Sequence, residues 1–294
     1  MNINLGLSDE VTLLSEYEIF DARRIDPVTE RRFCKATDFS VFLGGKVTYN
    51  WDNLKSRKAW YWTRGLARDN DDYVAVVTQW GLLGYHKCAQ VRTGSIRPAI
   101  PFSNISAIPK MDGYWTVSYG EFPQDVVDTI LEKTLDCELS AGTLNPTGKT
   151  YTTDSRPLDA YSESFKPREL YEYEYNGKKY VKAKYEGTNS CLLSNYRYYR
   201  NGDEAWFEVS PINWIISEDI GMIFSERALV SGIRFNKHPW YDGNFNDAEM
   251  YMVLNTYFAK DIIPTNVNEM TSGENIQFNK NRKCKLLMKE YYNR

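Results

Sequence analysis

The chain has few of the residues and patterns on which common catalytic and metal sites depend. It contains only two histidines, His86 and His238, and neither lies in an H-E-x-x-H pattern or another metal-ligand spacing. The glycine patterns of a hydrolase nucleophile elbow, a phosphate-binding loop and a dinucleotide fold do not occur. These absences predict a chain without a catalytic site, a bound metal or a cofactor.

Cysteine pairs and long apolar runs are also missing. The five cysteines are odd in number and never form a C-x-x-C pair: Cys34, Cys88, Cys137, Cys191 and Cys284. Such spacing indicates reduced thiols rather than a disulfide framework or a zinc site. No apolar run reaches the roughly 18 residues of a membrane span, and the N-terminus has no basic region followed by an apolar core. The sequence therefore predicts a cytoplasmic protein without a membrane partner.

Positive charge is not in excess. The formal net charge is -3, so bulk binding to nucleic acid is not expected. A short basic run near the C-terminus is interpreted as a solvated face: Lys280, Arg282, Lys283, Lys285 and Lys289.

Aromatic residues, in contrast, are abundant. They make up 15% of the chain, with 22 Tyr and 8 Trp, and these two types are enriched where protein surfaces meet. Abundant β-sheet would raise the same two residue types, so both interpretations stand. The length of 294 residues allows two domains or one large domain with an insertion.

Short apolar runs separated by Gly, Asn and Asp predict a β-rich chain. Val41–Leu43, Tyr61-Trp62 and Tyr73–Val77 are read as strands, with turns at Gly81 and Gly84. The clearest local prediction is a hairpin whose turn is Asn176-Gly177, because this pair favours the positive φ values of a type I′ turn. Aromatic and charged residues alternate with a period of two in its strands, 171–175 and 178–184.

Helices, a loop and further strands are predicted for other segments. Apolar residues at helical spacing predict helices over 124–139 and 246–260, the second capped by Asn246 and Glu249. Residues 16–33 are read as a short strand followed by a helix or loop. The segment 144–166 has the Thr, Ser, Asp, Pro and Gly content of an extended loop outside the core. A strand pair, 205–209 and 212–216, followed by a strand at 222–225, completes the prediction.

Two sets of motifs resemble a known family. Tyr61–Gly65, Asp72–Val77 and Ser95–Ile100 resemble the W-x-R-S … V-R-P-A ending of an uncharacterised bacterial and phage domain family. That family is related to the formylglycine-generating enzyme and C-type lectin folds. Its opening block resembles four further segments of this chain: Gly120–Gln124, Pro211–Trp214, Ile223–Glu226 and Leu254–Phe258.

The order of the two blocks differs from that of the family. Here the W-x-R block comes first, as in a circular permutation, and the opening block is interrupted by an insertion. The alternative is that each block belongs to its own incomplete or divergent copy. The composite interpretation predicts an α+β, lectin-like or formylglycine-generating-enzyme-like domain with a β-rich insertion. The two parts of this domain are 34–128 and 205–294, the second including the basic C-terminal tail. Residues 1–33 form a separate N-terminal segment, and 129–204 form the insertion.

The resemblance also assigns roles to particular residues. It implies that Trp62 belongs to the core and that Arg64 ties a strand to a loop, although Trp60, Trp62 and Arg64 could instead form a stacking platform for a ligand. Cys88 is interpreted as a buried thiol, although the enzyme relative uses two closely placed cysteines. An acidic cluster that could hold calcium is interpreted as a solvated turn: Asp69, Asn70, Asp71 and Asp72.

A binding surface is expected on the segment between the W-x-R and R-P-A motifs, since exposed loops on a rigid sheet carry recognition. Its candidate residues are Arg68, Asn70, Asp71, Trp80, Tyr85 and His86. The Asn176-Gly177 hairpin is expected to project from the main domain and to contact another chain through Tyr173 and Tyr175, the alternative being that these rings pack on their own domain.

These observations favour a non-catalytic protein-binding module over an enzyme. The resemblance implies a phage or mobile-element origin, hence a virion component or an inhibitor of a host protein. The expected partner is a host or virion protein or a second copy of the chain. Two alternatives are a lectin-like carbohydrate binder and a cysteine-dependent oxidase of the formylglycine-generating type.

Overall fold

The structure is a computed structural model that describes residues 7–20, 32–48, 52–67, 70–89, 91–103, 114–156, 163–262 and 276–279. Strands account for 41% and helices for 20%, and the main sheet is curled, so the predicted β-rich α+β class is confirmed. Among the described residues, no helix is both long and apolar enough to cross a membrane. The basic C-terminal run lies outside the described residues.

The core of the fold is an eight-stranded sheet. Its strands are β6 (Ala99–Pro101), β7 (Tyr114–Val126), β8 (Pro146–Asp154), β9 (Pro167–Tyr175), β10 (Lys178–Lys184), β13 (Glu204–Ser217), β14 (Met222–Ser225) and β16 (Ile276–Asn279). Six of them follow one another in the order β16-β7-β13-β10-β9-β8, and β14 pairs with both β13 and β6.

The longest strand corrects one prediction. Residues 205–209 and 212–216 do not form a strand pair, because both belong to β13, which pairs with β7. Register shifts occur between Glu208 and Val209 and between Pro211 and Asn213. Pro211 cannot donate a ladder hydrogen bond, and such a residue is tolerated at an irregularity without ending the strand. The predicted strand at 222–225 is confirmed as β14.

The Asn176-Gly177 hairpin is confirmed, but its position is not the predicted one. Asn176 and Gly177 have φ values of 51° and 74°, and Lys178 pairs with Tyr175. Its strands, β9 and β10, are flanked by β8 on one side and β13 on the other. The hairpin therefore lies inside the sheet and does not project from it.

The segment 144–166 was expected to be a loop outside the core; this prediction is wrong for residues 146–154, and residues 157–162 lie outside the described residues. Residues 146–154 form β8, the edge strand that pairs with β9. Tyr151 is fully buried and its hydroxyl donates to Glu172 Oε2 at 2.7 Å. Threonine is β-branched and suits a strand, so its abundance here was misread as loop composition.

The longest described helix, α3 (Thr129–Ala141), begins later than predicted. Residues 124–126 are held in β7, and the Asp128 side chain caps the helix by accepting from Ile130 N and Leu131 N, both at 2.9 Å. Gly142 ends it with a φ of 71°. Its buried face closes a small core against the sheet with Val127, Leu135, Leu144, Tyr180 and Trp206.

The predicted helix over 246–260 is present in broken form. A 3₁₀ turn at Phe245–Asp247 precedes α4 (Glu249–Val253), a π-helical turn at Leu254–Phe258 and α5 (Ala259–Ile262). The predicted capping pair is wrong, because Asn244 caps the 3₁₀ turn and Glu249 binds Arg234 and the Phe165 backbone N–H.

Smaller elements cover the sheet. They are the helices α1 (Glu16–Phe20) and α2 (Asp38–Phe42) and the strands β1 (Cys34–Ala36), β2 (Lys58–Ala59), β3 (Tyr61–Leu66), β4 (Tyr73–Val77), β5 (Leu83–Lys87), β11 (Cys191–Leu192), β12 (Tyr198–Tyr199) and β15 (Arg227–Ala228). Within 16–33 the described helix α1 comes first, where a strand was expected. The predicted strand at Val41–Leu43 is wrong, because Val41 and Phe42 end helix α2, and Gly84 lies within β5 and not in a turn. Strands β3, β4 and β5 form their own antiparallel sheet.

One continuous hydrophobic core contains residues from each of the segments into which the sequence analysis divides the chain. Phe39 of the buried helix α2 packs edge-on against Phe122 and Phe207, at 5.7 and 5.1 Å between ring centroids. The same core holds Trp62 from the W-x-R block and Tyr151 from the predicted insertion. Three strands of the segment 129–204 are thus part of the central sheet.

Candidate functional site

Within the predicted binding surface, the hairpin formed by β4 and β5 exposes the largest number of apolar side chains. Its turn is closed by Thr78, whose backbone N–H donates to Leu82 O at 2.8 Å and whose hydroxyl accepts from Leu82 N at 3.1 Å. Gly81 has a φ of 74°, and a Cβ there would lie 2.8 Å from the Phe33 ring. Glycine is therefore required both by the turn and by the ring beneath it.

Four large apolar side chains of this hairpin face solvent. Trp80 is 65% exposed and Leu82 63%, while Leu83 and Tyr85 are 41% and 44% exposed. Leu83 and Tyr85 lie two residues apart in β5 and so point to the same face. We call these four residues the hairpin patch. Beside it, β5 is the edge of its sheet, and no described strand pairs with its outer side.

His86 lies on the opposite face of β5 and does not belong to the hairpin patch. Its ring is 4.6 Å from the Trp60 ring, and both burial and the nearby Lys46 charge lower the pKa of His86. The His86 ring therefore packs on the buried Trp60 ring and stabilises the hairpin.

Asn70 and Asp71 lie at the other end of β4 and hold a turn. The Asn70 side chain accepts from Asp72 N at 2.9 Å, and the Asp71 carbonyl accepts from Tyr241 N at 2.7 Å. Arg68 and Asp69 lie outside the described residues. Among the described residues, no group of three or more His, Cys, Asp or Glu side chains is placed to hold a metal ion.

The tryptophan and arginine platform is not accessible. Trp60 and Trp62 are buried and pack edge-on at 5.1 Å. Arg64 binds the Leu13 carbonyl and Glu18, which ties β3 to the N-terminal segment as the resemblance implies. Arg97 is buried over the Phe224 ring and donates to Ser225 O at 2.8 Å. These contacts stabilise the fold, and the buried rings of Trp60 and Trp62 leave no stacking platform for a ligand.

Cys88 has the environment of a buried thiol. Its Sγ lies 3.3 Å from the His238 carbonyl, and burial raises the pKa of Cys88 to about 11. A thiol with such a pKa is largely protonated at neutral pH and is a poor nucleophile. The four described cysteines are all free.

Tyr173 and Tyr175 face helix α3 of their own chain. Both rings pack against the small core under that helix, and Tyr173 meets Trp206 edge-on at 5.5 Å. Tyr171, on the same strand, is 53% exposed. The structure thus favours packing on the same domain, which was the alternative to an interface.

Trp80 and Tyr85 are both exposed on the β4–β5 hairpin, whereas Asn70 and Asp71 lie at the other end of β4 and His86 lies on the opposite face of β5. The structure adds Leu82 and Leu83, which the sequence analysis missed. The signal was present, since two leucines between Gly81 and Gly84 leave little room for burial in a tight hairpin. The lectin-like and formylglycine-generating-enzyme-like resemblance rests on its motifs alone, because comparison of the chain with family models, with curated proteins and with solved structures gave no match.

Proposed function

We propose that this chain is a non-catalytic protein-binding module whose contact surface is the hairpin patch. The observation that carries the proposal is a local concentration of exposed apolar side chains. Four of the 11 exposed large apolar residues of the described chain lie within the six positions 80–85. A contiguous apolar patch on a surface commonly marks an interaction site, and Trp and Tyr are the residues that dominate such sites.

The backbone beside the hairpin patch supports the same proposal. The outer edge of β5 offers backbone donors and acceptors to an incoming strand, and flanking side chains would then select the partner. The partner is another protein: a host or virion component, or a second copy of this chain. A virion component or an inhibitor of a host protein would both use such a surface, and that part of the proposal rests on the family resemblance.

Replacement of two patch residues tests the proposal. The double variant Trp80→Ser with Tyr85→Ser should keep the wild-type melting temperature, because both side chains face solvent. It should lose self-association in analytical ultracentrifugation, or lose a partner recovered by affinity purification from the native host. Removal of two interface aromatics should weaken binding by about 100-fold.

A matched control makes the result specific. Tyr171 and Tyr198 are both 53% exposed and lie outside the hairpin patch, so Tyr171→Ser with Tyr198→Ser removes similar area elsewhere. This control should behave as wild type. Equal partner binding by the patch variant and the wild type would contradict the proposal, and so would equal loss in the control.

Sugar rings stack on exposed aromatic side chains such as Trp80 and Tyr85. This is the observation that supports the carbohydrate-binding alternative. A glycan array, read with and without calcium, separates the two. Glycan binding lost in the patch variant would favour the carbohydrate alternative over a protein partner.

A further inference from the structure

The outer edge of β5, beside the hairpin patch, is a row of backbone groups whose directions follow from the β4–β5 ladder. Hydrogen-bonded and non-hydrogen-bonded residue pairs alternate along an antiparallel ladder. At the turn, Thr78 N donates to Leu82 O at 2.8 Å. At the other end, Cys88 N donates to Asp72 O at 3.0 Å. The even-numbered residues of β5 therefore bond to β4.

The odd-numbered residues of β5 direct their backbone N–H and C=O groups away from β4. They are Leu83, Tyr85 and Lys87, and their side chains are exposed. In the described part of the chain, no strand or loop bonds to these groups. The edge strand β8 differs, because its Thr152 N donates to Asp261 Oδ2 at 2.7 Å. An edge with free backbone groups is a template for pairing with another strand.

We propose that this edge pairs with β5 of a second copy of the chain, antiparallel and about a two-fold axis at Tyr85. The inference rests on the proposed function of the hairpin patch. In this register Tyr85 faces its own equivalent, and Leu83 faces Lys87 of the other copy. The three odd-numbered residues of each copy then exchange all their outward backbone hydrogen bonds. A two-fold axis makes such an interface self-complementary.

Other registers leave backbone groups unpaired or bring like charges together. Moving the axis by one residue in either direction places an odd-numbered residue of each copy opposite a position outside β5, because the strand ends at Leu83 and Lys87. Moving the axis to Lys87 places two ammonium groups opposite each other, which destabilises a strand pair. The axis at Tyr85 therefore pairs the most backbone groups and separates the two lysines.

The pairing also brings exposed side chains of both copies onto one face. Residues of a bonded antiparallel pair project to the same side of a sheet. The two Tyr85 rings then lie side by side at the centre of the interface. The aliphatic part of each Lys87 covers Leu83 of the other copy, while its ammonium group stays in water. Apolar side chains that face solvent in one copy are thus buried between two.

Two substitutions at one position test the register. The full wild-type chain should be dimeric in sedimentation equilibrium. Leu83→Glu places a carboxylate opposite each Lys87, whereas Leu83→Lys places like charges there. The lysine variant should therefore dimerise about tenfold more weakly than the glutamate variant. Net charge alone predicts the reverse, because glutamate makes the net charge of -3 more negative and lysine makes it less negative.

A charge reversal and a matched control make this result specific. Lys87→Glu, added to Leu83→Lys, should restore dimerisation to the level of Leu83→Glu. Tyr171 is 53% exposed on β9, outside the proposed interface. Tyr171→Glu and Tyr171→Lys should therefore dimerise equally.

Cysteine cross-linking locates the two-fold axis. The Cα atoms of a bonded antiparallel pair lie about 5.5 Å apart, which a disulfide can span. Tyr85→Cys should therefore give a covalent dimer on a non-reducing gel after mild oxidation. The background carries Cys137→Ser and Cys284→Ser, because Cys137 is an exposed free thiol. Leu83→Cys lies about 14 Å from its equivalent in the proposed register and should not cross-link.

A wild-type chain that is monomeric at about 1 mM would overturn the proposal. Equal dimerisation of the two Leu83 charge variants, or cross-linking of Leu83→Cys, would overturn it as well. Failure of the proposed function looks different. A monomer whose Trp80→Ser with Tyr85→Ser variant loses a protein recovered from the native host would exclude the second copy and retain the hairpin patch as a binding surface.

Discussion

At the scale of single residues, buried charges connect segments that are distant in sequence. Asp38 is 2% exposed and its carboxylate accepts from Arg57 Nη2 at 3.3 Å, Ser194 N at 3.0 Å and Val126 N at 3.3 Å. One side chain thus joins the start of α2 to β7 and to the loop between β11 and β12. A buried carboxylate is retained only where such partners compensate for its lost hydration.

Asp261 is a buried carboxylate with weaker compensation. Its Oδ2 accepts from Thr152 N at 2.7 Å, where α5 packs against β8. Burial raises the pKa of Asp261 to about 7 from its ordinary value of 3.8, opposed chiefly by the Thr152 hydrogen bond and Lys149. The folded protein therefore holds a proton here in a pH range in which the unfolded chain has released it.

The sign of the pH dependence follows from the raised pKa. The contribution of Asp261 to stability is fully present below about pH 4 and is lost as the pH rises to about 7. Asp261→Asn keeps an acceptor for Thr152 N and cannot ionise. It should match the wild type near pH 4 and be more stable above pH 7 by up to about 4 kcal/mol. Urea unfolding across this range measures the difference, and parallel pH profiles would refute it.

At the scale of elements, helix α3 and the hairpin β9–β10 depend on each other. An isolated two-stranded hairpin is marginally stable in water, and α3 buries its apolar face only against the sheet. Leu135 is fully buried in their shared core, whereas Ile130, on the outer side of the helix, is 81% exposed. Tertiary packing therefore stabilises this helix more than its own propensity does.

Substitution on the hairpin should separate the packed rings from the exposed one. Tyr173→Ser with Tyr175→Ser should lower the free energy of unfolding by about 3 kcal/mol, because partly buried aromatic area and the Trp206 contact are lost. Tyr171→Ser is the matched control on the same strand and should change it little. Thermal melting of the monomer measures both. Unchanged melting with weakened association would instead restore the interface interpretation.

At the scale of the whole molecule, the continuous core opposes a division into independent parts. It includes Val76 from the first predicted segment, Val181 from the predicted insertion and Ile215 from the last. The strands that carry Val181 and Ile215 are hydrogen-bonded neighbours. A domain of this kind exposes much of its apolar surface in one step when it unfolds.

The described chain should consequently unfold in one cooperative transition. Differential scanning calorimetry should give equal calorimetric and van't Hoff enthalpies, and far- and near-ultraviolet circular dichroism should report the same midpoint. Deletion of residues 143–190 should abolish the transition, because it removes β8, β9 and β10 from the middle and edge of the sheet. Two resolved transitions, or a folded deletion variant, would contradict a single core.

The sequence by itself determined the local features whose causes lie within a few residues. Asn176-Gly177 adopts positive φ at both positions wherever the hairpin is placed, and the β-branched run in β4 favours a strand. The burial of Trp62 and the tying role of Arg64 followed from the family resemblance. Trp80 and Tyr85 were named as binding candidates because the segment between the W-x-R and R-P-A motifs was expected to form exposed loops on a rigid sheet.

Only the tertiary structure decided how these local units combine. Residues 146–154 have the composition of a loop, but they form a strand because pairing with β9 supplies their backbone hydrogen bonds. Pro211 suggested a break between two strands, but β7 pairs with β13 on both sides of this residue. The sequence pattern predicts that Glu249 caps a helix, but in the structure its carboxylate accepts from Arg234. Asp154 Oδ2 lies 3.0 Å from Arg92 Nη2, and this buried ion pair joins two segments that are distant in sequence. Hydrogen bonds and ion pairs between distant segments can override local preference, because an unpaired buried polar group costs more than a local propensity gains.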